Sequence, residues 1–171
     1  MAAGSNRYMT ATDVLLKRYR DAETGLPGDR SSPRPSLQLT IVTCMDARIR
    51  VFEIFGLIQG EAHILRNAGG VVTDDVIRSL ALSQRKLGTR EVMIVQHTNC
   101  GLSLVTEDDF KDELEAATGL RPTWAVEAFR EVGDSVRRSV QRVKRSDFLQ
   151  YTDNVRGFVY DVQTGELTEI I

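Results

Sequence analysis

Cysteine, histidine, aspartate and arginine side chains stand in two short groups, each directly after an apolar, strand-like segment. Cys44, Asp46 and Arg48 follow the first of these segments, and His97 and Cys100 follow another. In a chain expected to be cytoplasmic, two cysteines indicate metal binding or catalysis rather than a structural disulfide. Two thiolates and one imidazole form a ligand set of catalytic zinc sites, and they leave a fourth coordination position. Sulfur ligands also favour zinc over magnesium or calcium.

Asp46 and Arg48 add candidate proton-transfer chemistry to this set. An arginine can hold a nearby carboxylate through two hydrogen bonds and keep it ionised. Such a carboxylate can accept a proton from water on zinc, or can itself take the fourth position. Because two thiolates cancel the charge of the ion, the water should be less acidic than in a three-histidine site, and an added base is needed. A third segment contains Gly69 and Gly70, whose backbone N–H groups suit a small oxyanion.

The pattern of apolar and polar residues predicts alternating strands and helices that would position these groups. It predicts an α/β fold with a central, mostly parallel sheet, an antiparallel edge strand and helices on both faces. Since the carboxyl ends of parallel strands share one edge, the three candidate segments should converge there. Strands are predicted over 37–43, 62–65, 92–96, 155–160 and 167–171, and helices over 11–23, 51–55, 73–87, from Thr106 onward and over 123–145.

Length and charge set the remaining limits. The 171 residues fit a single domain, 1–171, with an N-terminal helix and loop (1–36) and a catalytic core (37–171). Lysine plus arginine number 22 and aspartate plus glutamate 24, and the net charge of −2 gives no reason to expect a nucleic-acid partner. The apolar runs are too short to span a bilayer, and the polar first ten residues do not look like a signal peptide. We therefore expect a cytoplasmic protein without a membrane partner.

The combination of C-x-D-x-R, R-N-A-G-G and H-x-x-C closely resembles the β-class carbonic anhydrases, and above all their small prokaryotic branch. The resemblance implies a parallel sheet extended by an antiparallel strand, and self-association as a dimer or tetramer. It implies one zinc ion per subunit, held by Cys44, His97 and Cys100, with Asp46 and Arg48 as the catalytic pair. In some members the residue matching Asp46 also ligates zinc at low pH.

The implied reaction is the reversible hydration of CO2 to bicarbonate and a proton through a zinc-bound hydroxide. We expect Gly69, Gly70 and Val71 to contact the substrate. The chain departs from the family at two places. Ile58 stands where plant-like members carry a glutamine, and Ile41 stands where members with a regulatory bicarbonate pocket carry a tryptophan.

Three other functions remain open. The same zinc site could hydrolyse CS2 or COS, because access to the site decides the substrate. Zinc could instead stabilise a non-catalytic, oligomeric binding module. Cys44 and Arg50 also fit the C-x5-R spacing of a phosphate-binding nucleophilic loop. That third reading is disfavoured, because Asp46 would repel phosphate and His97 and Cys100 would have no role.

Overall fold

A five-stranded sheet forms the centre of the computed structural model, which describes residues 10–21 and 32–171. The strand order is β2-β1-β3-β4-β5, and every neighbouring pair is parallel except β4 and β5, which are antiparallel. This confirms the predicted fold class. The strands are β1 (Leu39–Cys44), β2 (Ala62–Asn67), β3 (Glu91–His97), β4 (Val155–Tyr160) and β5 (Leu167–Glu169).

Five α-helices accompany the sheet within the described ranges. They are α1 (Ala11–Asp21), α2 (Val51–Phe55), α3 (Asp74–Leu87), α4 (Glu107–Thr118) and α5 (Val132–Lys144). The predicted N-terminal helix is confirmed as far as Asp21, and the predicted loop falls partly in residues 22–31, outside the described residues. None of these helices combines the length and apolar character needed to cross a membrane.

Local signals in the sequence explain where the helices begin and end. Thr73 and Thr106 each cap a helix, because their side-chain oxygens accept hydrogen bonds from the backbone N–H groups of Val76 and Asp109. Gly88 ends α3 in the left-handed conformation that glycine adopts without steric cost. Both helix starts agree with the predictions to within one residue.

The predicted helix over 123–145 is wrong at its start, because α5 begins only at Val132. Residues 123–131 form an irregular segment in which Glu127 has the left-handed backbone angle φ of 61°. This segment buries Val126 and Phe129, and Phe129 packs with Cys44 and Cys100. Tertiary packing against the site therefore overrides the local helical tendency.

Alternate residues of the strands face opposite sides of the sheet and build two apolar cores. Helices α3 and α5 cover one face, where Val42 and Ile94 pack with Leu80 and Val140. The five-residue helix α2 packs on the other face, near Ile41. The cores fix β1 and β3 side by side, so that both strands end at the same edge of the sheet.

Candidate metal centre

Three buried side chains meet where β1 and β3 end. Cys44 is the last residue of β1, His97 is the last residue of β3, and Cys100 lies in the turn that follows. The two sulfur atoms are 3.9 Å apart, and all three ligand atoms lie within 4.8 Å of one another. The predicted convergence of these residues is therefore present in the structure.

The turn after β3 aims the imidazole and the second thiol at the same point. Asn99 adopts a left-handed backbone conformation with φ of 54°, an angle that asparagine tolerates better than most residues. His97 Nδ1 lies 2.8 Å from the carbonyl oxygen of Thr98 and donates to it, so that Nε2 faces the cysteines. Thr98 in turn donates its backbone N–H to Tyr160 on β4.

The donor set fits a zinc ion. His97 Nε2 is fully buried and has no hydrogen-bond partner among the described residues. A buried nitrogen left without a partner is costly, and a metal ion would accept its lone pair. With two thiolates beside it, this nitrogen completes three ligands of a catalytic zinc site and leaves one position open.

The electrostatics of the three ligands favour a thiolate on Cys44. The hydrogen bond from the Cys100 thiol lowers the pKa of Cys44 to about 4, against the opposing effect of burial. The same hydrogen bond, together with burial, raises the pKa of Cys100. Burial acts to lower the pKa of His97, but the charge of the neighbouring Cys44 thiolate and the contact with the Thr98 carbonyl oxygen act against burial, and the pKa is raised. The cluster therefore attracts a cation.

Asp46 borders the ligands and is held by Arg48. Its Oδ1 accepts hydrogen bonds from the backbone N–H and Nε of Arg48, both at 2.9 Å, and its Oδ2 accepts one from Nη2 at 2.7 Å. These bonds hold the pKa of Asp46 well below its usual value. Oδ2 also lies 3.7 Å from His97 Nε2, which places the carboxylate at the rim of the metal centre.

Two arginines fix the turn that carries Cys44 and Asp46. Arg66 donates from Nε to the carbonyl oxygen of Cys44 at 2.9 Å and from Nη2 to that of Asp46 at 2.7 Å. Arg48 donates from Nη2 to the carbonyl oxygen of Asn99 at 2.9 Å and so joins the two ligand-bearing turns. Arg66, in the R-N-A-G-G segment, therefore supports the loop after β1, as its sequence context indicates.

An apolar cavity of about 460 Å³ opens beside Cys44, Asp46 and Cys100. Its walls come mainly from the segment between the H-x-x-C turn and α5, which sequence reasoning left without a role. The apolar side chains of that segment in the wall are Leu102, Val105, Phe110, Trp124 and Val126. These residues have no regular spacing in the sequence. Only the apolar character of residues 102–126 could have indicated that they line a cavity.

Gly69, Gly70 and Val71 occupy three different environments. Gly69 lies in the wall of the apolar cavity. Gly70 packs against β1 so closely that a Cβ atom there would lie 2.7 Å from the backbone nitrogen of Cys44. Val71 is buried and lines a separate, smaller cavity. The structure therefore brings only Gly69 to the apolar cavity, and contact of all three with substrate stays a prediction.

Comparison with known proteins identifies relatives of the whole chain. Residues 39–131 match the family model described as carbonic anhydrase. The chain is 48% identical over 162 residues to β-carbonic anhydrase 1 of Mycobacterium tuberculosis, covering 95% of this chain and 99% of that relative. It is 32% identical over 180 residues to a carbon disulfide hydrolase of Saccharolobus solfataricus, covering 91% of this chain and 82% of the relative.

A solved structure agrees with these matches. The carbonic anhydrase of Streptococcus mutans superposes with a TM-score of 0.83 at 35% identity, covering 96% of this chain and 99% of that one. The family match spans β1, β2, β3 and their following turns, which include every candidate zinc ligand. The chain therefore belongs to the β-class carbonic anhydrases, zinc enzymes that catalyse the reversible hydration of CO2 to bicarbonate and a proton.

Proposed function

We propose that Cys44, His97 and Cys100 hold one zinc ion in this chain, and that CO2 is hydrated there to bicarbonate and a proton. The observation that carries the proposal is the buried, unpartnered Nε2 of His97 facing two buried sulfur atoms. Zinc bound by such ligands lowers the pKa of a water molecule and supplies the nucleophile for CO2.

Asp46 is proposed to accept the proton that the reaction releases. Arg48 keeps this carboxylate ionised and aims Oδ2 toward the ligands through its three hydrogen bonds. At low pH, Asp46 is proposed to serve as a fourth zinc ligand instead. To bind zinc, Asp46 would have to give up its hydrogen bonds to Arg48, and this cost opposes ligation.

The apolar cavity is proposed to admit CO2, which carries no charge and donates no hydrogen bond. Leu102, Val105 and Phe110 offer it side chains without hydrogen-bond donors. Gly69 borders the same cavity, and we propose that Gly69, Gly70 and Val71 form the backbone side of the substrate site. Asp46 lines this largely apolar cavity, and Arg48 holds its carboxylate there.

Stopped-flow CO2 hydration of zinc-replete protein across pH tests this function, with zinc content measured on the same samples. Arg48→Gln and Arg50→Gln form a matched pair, because Arg50 pairs with Glu53 outside the site. Activity that rises with pH, falls by at least tenfold in Arg48→Gln and persists in Arg50→Gln is expected. A zinc-loaded protein that gives no hydration above buffer at any pH would contradict the proposal and would leave hydrolysis of CS2 or COS, or a non-catalytic, zinc-stabilised role.

Hydrolysis of CS2 or COS on the same site is a second candidate function. The cavity of about 460 Å³ is apolar and larger than CO2 requires, and a carbon disulfide hydrolase is among the relatives. Release of hydrogen sulfide from CS2 by the zinc-loaded protein, at a rate above that of Asp46→Ala, would support it. Equal rates for the two proteins would exclude it.

We also propose that the chain acts as a cytoplasmic dimer or tetramer built from single domains, 1–171, with the catalytic core in 37–171. Helix α1 supports self-association, because Leu15, Leu16 and Tyr19 are 60%, 48% and 80% exposed. A reducing cytoplasm would keep both cysteines available as ligands. Light scattering on wild type and Leu15→Ser tests the assembly, and a monomeric wild type would contradict it.

A further inference from the structure

Gln96 is a fully buried polar residue directly before the candidate zinc ligand His97, and the proposed reaction gives it no role. Its side chain lies on the α5 side of the sheet, where its Nε2 donates to Oγ of Ser139 at 3.4 Å. Because successive residues of a strand face opposite sides of the sheet, the side chains of Gln96 and His97 point away from each other. Gln96 can therefore influence the metal centre only through other groups.

The side-chain amide of Gln96 holds the turn that follows β2. Its Nε2 also donates to the carbonyl oxygen of Gly70 at 3.3 Å. A second side-chain amide acts on the same turn, since Nδ2 of Asn67 donates to the carbonyl oxygen of Val71 at 2.8 Å. Asn67 fixes the turn from within, whereas Gln96 ties it to the neighbouring part of the sheet, at the strand position next to a candidate zinc ligand.

Gly70 transmits this hold to a second candidate ligand by direct contact. It lies against β1 where Thr43 joins Cys44, and a Cβ atom on Gly70 would lie 2.7 Å from the backbone nitrogen of Cys44. Because backbone packs on backbone there, and close-packed interiors transmit displacements, a shift of Gly70 would also shift Cys44. Gln96 is thus linked to His97 through the chain and to Cys44 through Gly70.

The cost of this arrangement indicates that overall stability is not its only effect. Oε1 of Gln96 is buried and has no hydrogen-bond partner among the residues that the structure describes. A buried acceptor without a partner destabilises a fold, and an apolar side chain of similar size would avoid that cost. The benefit of an amide at this position therefore points to the turn that its N–H groups hold.

We propose that Gln96 is a positioning residue for the metal centre, which fixes Gly70 against β1 and thereby sets where the sulfur of Cys44 stands relative to the other two ligands. The inference rests on the proposed zinc site, of which Gln96 is not a ligand. Removing a group that orients metal ligands from outside typically weakens metal binding roughly 10- to 100-fold. Because Gln96 acts through Gly70 and not on a ligand directly, its removal should weaken zinc binding by about tenfold.

Competition with a chromophoric chelator measures the zinc affinity of wild type, Gln96→Met and Gln84→Met. Methionine resembles glutamine in size but lacks the amide, so Gln96→Met removes the bonds to Gly70 and Ser139. Gln84 is the matched control, because it is 4% exposed and its amide bonds the backbone of Tyr151, outside the metal centre. Gln84→Met should bind zinc like wild type, whereas Gln96→Met should bind it about tenfold more weakly.

Cobalt(II) in place of zinc gives a readout that a loss of overall stability would not move. Its visible absorption depends on ligand geometry, so the bands should change in Gln96→Met and match wild type in Gln84→Met.

An unchanged zinc affinity or an unchanged cobalt spectrum in Gln96→Met would refute the role of Gln96, and so would equal losses of affinity in Gln96→Met and Gln84→Met. If Gln96→Met does not fold, Gln96→Asn takes its place, because it withdraws the amide from Gly70 by one methylene and should show the same two changes. A wild type that binds no zinc would refute the proposed zinc site as well, whereas a zinc-binding wild type with unaltered variants would refute only the role of Gln96.

Discussion

Gly70→Ala tests the closest backbone contact beside the metal centre. A Cβ atom on Gly70 would lie 2.7 Å from the nitrogen and 2.8 Å from the carbonyl carbon of the peptide bond between Thr43 and Cys44. Both are backbone atoms, so no side-chain rotation can relieve the overlap. Gly70 also has φ of 63°, an angle that disfavours alanine.

The expected cost follows from these two effects. Overpacking typically destabilises a core by about 1–3 kcal/mol, and a left-handed backbone conformation costs a non-glycine residue about 1–2 kcal/mol. Gly70→Ala should therefore lower the free energy of unfolding by about 2–5 kcal/mol. Gly88→Ala is the matched control, because Gly88 has φ of 81° but no atom near its Cβ position. It should lose only about 1–2 kcal/mol.

Urea unfolding of both zinc-replete variants measures this difference, and competition with a chelator measures zinc retention. Since the overlap displaces the backbone of Cys44, Gly70→Ala should also release zinc more readily, whereas Gly88→Ala should not. If the two variants unfold at the same urea concentration and retain zinc equally, the close contact has no energetic effect and the reasoning is refuted.

Three further predictions concern the same site. Because the pKa of Asp46 is lowered in the folded protein, its charge stabilises the fold fully above its ordinary pKa of about 3.9, and this stabilisation declines as the pH falls from that value through the lowered pKa of the folded state. The difference in the free energy of unfolding between wild type and Asp46→Asn, measured with urea, should therefore shrink toward pH 3, and a constant difference would contradict this. Arg66→Lys should lower the free energy of unfolding by about 1–2 kcal/mol, because an ammonium group cannot reproduce the two hydrogen bonds that the planar guanidinium donates to the carbonyl oxygens of Cys44 and Asp46. Calorimetry measures this change, and an unchanged value would show that water replaces those bonds. Removal of zinc with a chelator should lower the melting temperature and make Cys44 and Cys100 reactive toward a thiol reagent. If the two thiols react equally with and without zinc, Cys44 and Cys100 are not zinc ligands.

The site residues on strand ends were predictable, because their positions follow from local sequence. Buried strands such as β1 and β3 are short β-branched runs, and the residues after them must share an edge in a parallel sheet. That logic predicts the convergence of Cys44, His97 and Cys100 from the sequence alone. The bounds of α3 followed equally from Thr73 and Gly88, whose roles are local.

The walls of the apolar cavity were not predictable in the same way. The apolar cavity depends on how residues 102–126 fold over the metal centre, and no periodic pattern encodes that packing. The same packing makes residues 123–131 irregular, although their composition favours a helix. Arg66 is the partner of the Cys44 and Asp46 carbonyl oxygens only because the fold brings β1 and β2 side by side.

The separation of Cys44 and Cys100 along the chain has a consequence for how stability must be measured. The two sulfurs are neighbours in space but 56 positions apart in sequence. An unfolded chain that kept both on one ion would be closed into a loop, at an entropic cost of about 4 kcal/mol by the relation used for disulfides. Unfolding should therefore release the metal, so that the apparent stability of this protein depends on the concentration of free zinc and is a fixed quantity only when that concentration is specified.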